Sequence, residues 1–240
     1  MKFLKWYNIR LILMFALVIF LYSFTSNRNS HRKLKKSEVI FVGENNNFVK
    51  QESVNKLLIE NSSDVKSIAK DELNLNKLEN SINAHPMIQK SEVFVSVDGV
   101  LKAVVQQKTP VARVVDEQGS FYIDYEGNTM PLSDNYTARV PLISGENNLK
   151  NKKKLSEILK MIYDDEFLKK NIIGIQVLSD ESLLMSNRNF DYQIDFGRML
   201  NEEQKFKNYK AFFQKAVLDS TLYKYKKISL RFTHQVVCTK

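Results

Sequence analysis

Chemistry in this chain would have to begin with three histidines, one cysteine and two groups of acids. His31, His85 and His234 are scattered, and no two of them have the short spacing that places imidazoles on one metal. His234 falls in an alternating stretch, where a place at a strand rim explains it better than a role as general base. Cys238 has no second cysteine to pair with, so neither an intrachain disulfide nor a cysteine-based metal site can form. Asp191 and Asp195 fall on one strand face by period two, the arrangement that paired carboxylates need for acid–base work. Nothing beside them signals the cleft that such work requires. Asp164, Asp165 and Glu166 read as a helix end. The seven glycines are isolated, which leaves no loop to cradle a phosphate. G-x-S-x-G, S-x-x-K and H-E-x-x-H are absent. The expectation is a chain with no catalytic centre, no cofactor and no small-molecule substrate.

The net charge of +9 looks at first like a nucleic-acid signal. Residues 1–36 hold eight Lys and Arg and no acid, leaving 28 basic against 27 acidic residues in the remainder. A nucleic-acid binder keeps its basic face on the folded body, and this body is balanced. The excess instead brackets the apolar run LILMFALVIFLYSF, residues 11–24, whose Leu, Ile, Phe and Val each favour insertion by about 0.3–0.6 kcal/mol. Extended to residues 9–25, the run reaches the short end of a membrane span. Trp6, Tyr7 and Tyr22 suit the interfaces, and Arg10 can snorkel. No small-residue cleavage site follows, so an uncleaved anchor is expected rather than a signal peptide. Three basic residues precede the run and five follow closely, so the charge bias alone does not favour an outside body.

Residues 26–36 form a basic connector, read as a solvated spacer that could also meet lipid head groups. Then come a strand in SEVIFVGENN, a helix over 48–60 and a second over 73–84 that His85-Pro86 stops. Residues 93–110, VFVSVDGVLKAVVQQKTP, form a hairpin about Asp98-Gly99, which pairs Val97 with Val100 and Val93 with Val104. Beyond Pro110, short strands are punctuated by Glu-Gln-Gly and Glu-Gly-Asn turns. Two amphipathic helices are expected. The first, over 152–163, carries Leu155, Ile158, Leu159 and Ile162 on one face, with Lys150, Lys152, Lys153 and Lys154 at its start. The second, over 202–218, steps Phe206, Tyr209, Phe213 and Val217 toward the core. Further strands lie in IIGIQVLSD, SLLMSNRN and FDYQIDFG. ISLRFTHQVVC alternates most cleanly and reads as one half-buried antiparallel strand that could offer a free edge.

This order resembles the FtsQ/DivIB family of bacterial cell-division proteins. The local likeness runs through His85-Pro86-Met87-Ile88, Leu101-x-Ala103-x-Val105 and Thr109-Pro110-Val111-Ala112-Arg113. It continues at Asp124, Gly127 and Met130-Pro131-Leu132, and ends at Ile228-Ser229-Leu230-Arg231-Phe232. Met87 stands where the family usually has tryptophan, Gln107-Lys108 where it has Glu-Arg, and Ser229 where it has Asp.

The resemblance implies an α+β fold: an N-terminal transmembrane helix, a small POTRA domain (βααββ), then a β-rich domain with two helices. Expected boundaries are a cytoplasmic tail at 1–10, an anchor at 11–25, the connector at 26–36, POTRA at 37–110 and the β-domain at 111–240. It further implies a non-enzymatic scaffold in the cytoplasmic membrane, with its N-terminus inside, its domains periplasmic and its place at the septum. The implied partner is an FtsL–FtsB type coiled coil, with others through the POTRA domain. Strand addition over Ser229, Leu230, Arg231, Phe232, Thr233, His234, Gln235 and Val236 is the expected mode. The rival reading is a POTRA-containing translocation or envelope-assembly factor. Residues 111–240 hold too few long alternating segments for the barrel such proteins carry.

Overall fold

The computed structural model describes residues 6–30, 34–43, 47–59, 73–116, 119–145 and 152–240. Helix α1 (Trp6–Ser30) is longer at both ends than apolarity alone suggested. Neither Gly nor Pro interrupts it, so the polar flanks continue the helix rather than end it. Its segment Trp6–Arg28, 23 residues, is long and apolar enough to cross a membrane.

The chain divides into two compact units, Met1–Gln107 and Lys108–Lys240. The first contains β1 (Lys36–Val42), α2 (Gln51–Ile59), α3 (Leu75–Asn83), β2 (Ile88–Val95) and β3 (Val100–Gln107), the βααββ order expected. β3 lies in the middle, parallel to β1 and antiparallel to β2. The Asn74 side chain caps α3 by accepting the Lys77 N–H at 3.0 Å. Asn83 at the other end accepts both the N–H and the hydroxyl of Ser91, which fixes α3 to β2. Val54, Leu58 and Ile82 from the helices meet Val39, Val93, Leu101, Ala103 and Val105 in the core.

The hairpin register differs by one residue from the expectation. Val93 pairs with Ala103, Phe94 with Lys102 and Val95 with Leu101. Ser96 donates to Val100, and Gly99 donates back to Ser96, so the loop is Val97-Asp98-Gly99 rather than a two-residue turn. Gly99 has φ +85°, the left-handed residue that a three-residue loop requires. A one-residue slip exchanges faces. Val93 therefore joins Leu101, Ala103 and Val105 inside, and Phe94 turns outward.

Gln107 closes this unit. Its Oε1 accepts the N–H groups of Phe48 and Val49 at 2.9 and 3.1 Å, and its Nε2 donates to the Val49 carbonyl at 3.0 Å. One buried amide serves a turn of backbone as a strand partner would.

Among the described residues, the second unit holds a nine-stranded mixed sheet. Its strands are β4 (Pro110–Asp116), β5 (Gly119–Asp124), β6 (Thr129–Met130), β7 (Leu142–Gly145), β8 (Ile172–Val177), β9 (Leu183–Asn187), β10 (Gln193–Gly197), β11 (Lys227–Ser229) and β12 (Val237–Thr239). They lie in the order β12-β11-β10-β9-β8-β7-β4-β5-β6. Three pairs are parallel, β4 with β7, β7 with β8 and β10 with β11. Helix α4 (Lys152–Asp164) buries Leu155, Ile158, Leu159 and Ile162 as its spacing required. A helix not foreseen follows it, α5 (Glu166–Asn171). Asp165 both follows the end of α4 and caps α5, accepting the Leu168 N–H at 3.0 Å. Helix α6 (Glu202–Leu218) buries Phe206 and Tyr209, but its stripe shifts at the end: Ala216 is buried and Val217 is 48% exposed. Tyr192 and Tyr209 join hydroxyls at 2.9 Å, and Asn187 donates to Tyr209 at 3.0 Å. The Gly-Glu-Asn-Asn turn beyond Gly43, the Glu-Gln part of the turn before Gly119, and Lys150 lie outside the described residues.

Candidate partner-binding edge

The clean alternation from Ile228 to Cys238 is not one strand. It is a hairpin in which β11 pairs with β12, Ile228 opposite Cys238 and Ser229 opposite Val237. The reason lies in Asp195 on the neighbouring β10. Its carboxylate, 3% exposed, holds Lys227 at 2.8 Å and Arg231 at 2.9 Å, one at each end of the first arm. Its carbonyl accepts the Leu230 N–H at 2.8 Å. These bonds continue the chain along β10 only to Leu230, and Asn208 of α6 then takes the Thr233 carbonyl at 2.7 Å. The backbone turns at that point and returns as β12. Gly197 (φ +70°) ends β10 against Arg231, whose Cγ would lie 2.8 Å from any Cβ there.

Burial pushes the Asp195 carboxyl up, but the hydrogen bonds and charges of Lys227 and Arg231 outweigh it and hold it below its ordinary 3.8. The cluster is therefore an ionised clamp, not a proton donor. Asp191 lies outside β10 and is exposed, so the two acids are not a paired-carboxylate site.

The eight residues singled out from the sequence do not share one placement. Ser229 belongs to β11, and Leu230 is core at 1% exposure. Arg231 is held by Asp195, while Phe232, 52% exposed, presents its ring to solvent. Thr233 is half-buried, His234 and Gln235 are exposed, and Val236 packs on the core. The outermost strand is β12, whose first residue, Val237, is 42% exposed. Two contributors were hidden from the sequence. Asn208 gave no signal. Lys205 sits one residue before Phe206 and four before Tyr209, which could have placed it on the buried face. Its ammonium donates to the carbonyls of Phe196 and Arg198 at 2.9 and 2.7 Å, and burial lowers its pKa. Lys205, Arg198, Arg231, Asp180 and Thr233 line a shallow cleft of about 350 Å³ below the hairpin. Among the described residues, no group of three or more His, Cys, Asp or Glu could hold a metal ion.

An apolar helix of membrane-spanning length, a βααββ unit and a mixed sheet that ends in a rim hairpin define an α+β protein. The family described as FtsQ/DivIB, C-terminal related, matches residues 109–239, more than half of the chain, and the chain belongs to it. The chain is also similar to the cell division protein FtsQ of Salinibacter ruber (strain DSM 13855 / M31), 36% identical over 64 residues. That segment covers 25% of this chain and 25% of the relative's length. The family and α1, the one helix of membrane-spanning length among the described residues, together support a cell-division membrane protein.

Proposed function

We propose that this chain is a non-enzymatic scaffold of the bacterial division machinery. It is held in the cytoplasmic membrane by α1, with its N-terminus inside and both folded units on the periplasmic side at the septum. Its partner is an FtsL–FtsB type coiled coil, which adds a strand to β12. Main-chain bonds supply affinity, and Arg231, Phe232, His234 and Gln235 on the adjoining turn supply specificity. The observation that carries this reading is the position of β12 as the outermost strand of the sheet, next to an exposed aromatic ring, in a chain of this family. Leu230 supports the edge from beneath rather than touching the partner.

The test is site-specific photo-crosslinking in living cells. A photoreactive residue at position 232 or 237 should capture septal coiled-coil membrane proteins, and one at Tyr136 should not. Capture that is equal from all three positions, or from none, would overturn the edge as the recruiting site.

A further inference from the structure

The hairpin tip of the first unit meets none of the needs of the scaffold described so far. It nevertheless exposes Val97 at 87%, an apolar side chain at the apex of a three-residue loop. The topology places this apex. Because β1 is parallel to β3, the start of β1 and the start of β3 lie at the same end of the sheet, Lys36 beside Val100. The Lys35 N–H donates to the Gly99 carbonyl at 2.8 Å and fastens the incoming chain to the turn. The chain reaches Lys35 from α1, which ends at Ser30. Five residues span at most about 17 Å. Leu34, 2% exposed, is already packed into the fold.

We propose that the Val97 tip seats on the surface of the bilayer that α1 spans, against anionic phospholipid head groups. The proposal rests on the reading of α1 as a membrane anchor. Val97 enters the head-group layer, and Lys35, Lys36, Lys102 and Arg28 of α1 supply charge complementarity. Asp98 at the apex feels the charges of Lys35 and Lys102, and Glu38 pairs with Lys36 at 3.4 Å. The four basic groups therefore exceed these two acids. A lysine close to an anionic surface contributes roughly a fivefold preference, which salt screens.

The experiment uses the full chain with Cys238→Ser, reconstituted in nanodiscs of phosphatidylglycerol and phosphatidylcholine or of phosphatidylcholine alone. A spin label at Val97→Cys reports access to oxygen against a water-soluble nickel complex, and a second at Val18→Cys reports α1. We expect lipid exposure at 18 in both discs, and head-group exposure at 97 in the anionic disc. Lys35→Glu with Lys36→Glu should lower the seated fraction by roughly tenfold or more. A label at 97 that stays in water while 18 lies in lipid overturns the proposal and leaves the anchor standing. A label at 18 that reads water overturns both.

Discussion

Gln107 shows how much one side chain can decide. A carboxylate in place of the Gln107 amide could accept from Phe48 and Val49. It could not donate to the Val49 carbonyl, as the Gln107 amide does. Gln107→Glu would bury a charge against a carbonyl oxygen and remove a donor. We expect it to destabilise the first unit by about 2–4 kcal/mol, measured by urea unfolding with circular dichroism. An unchanged midpoint would mean that the amide is not what holds the turn at Phe48. The neighbouring Lys108 pairs at 3.5 Å with Asp124, which is almost fully buried.

At the scale of elements, adjacent residues in the C-terminal hairpin should behave in opposite ways. Leu230→Ala removes a core side chain and should cost about 2–4 kcal/mol. Phe232→Ala should leave the unfolding midpoint nearly unchanged and weaken partner capture, read by affinity pull-down from solubilised membranes. If Phe232→Ala unfolds the unit, the ring is core and the edge must be redrawn. The elements differed in how far the sequence revealed them. The face of α4 was legible because four apolar residues at helical spacing have one way to be buried. The βααββ order was legible because each element has its own period, and Gly43, Pro86, Gly99 and Pro110 punctuate the chain everywhere except between the two helices. The hairpin register was not, since Asp98-Gly99 fits a two-residue and a three-residue loop equally well and only packing of Val93 beside Ala103 selects one. The break in the last strand was also hidden. Alternation from Ile228 to Cys238 carries no turn residue, and the bend is imposed by Asp195 and Asn208, partners far away in sequence.

For the whole molecule, the two compact units predict separable folding. Residues 108–240 expressed alone should unfold cooperatively. The single tryptophan, Trp6, lies in α1, so the change must be followed through tyrosine or circular dichroism. The joined hydroxyls of Tyr192 and Tyr209 should make the near-ultraviolet signal sensitive to loss of the core. A broad, non-cooperative transition would mean that this unit depends on the rest of the chain.

The parallel pairing of β10 with β11 has a consequence in time. The two strands are joined through the whole of α6, so β11 cannot reach its place until that helix has settled across the sheet. β12 in turn has only β11 to pair with. The rim therefore forms after β10 and α6, and a chain that exposes a finished rim has already placed both. Under the strand addition proposed above, capture would select molecules in which this part of the sheet is complete and pass over intermediates that lack the template.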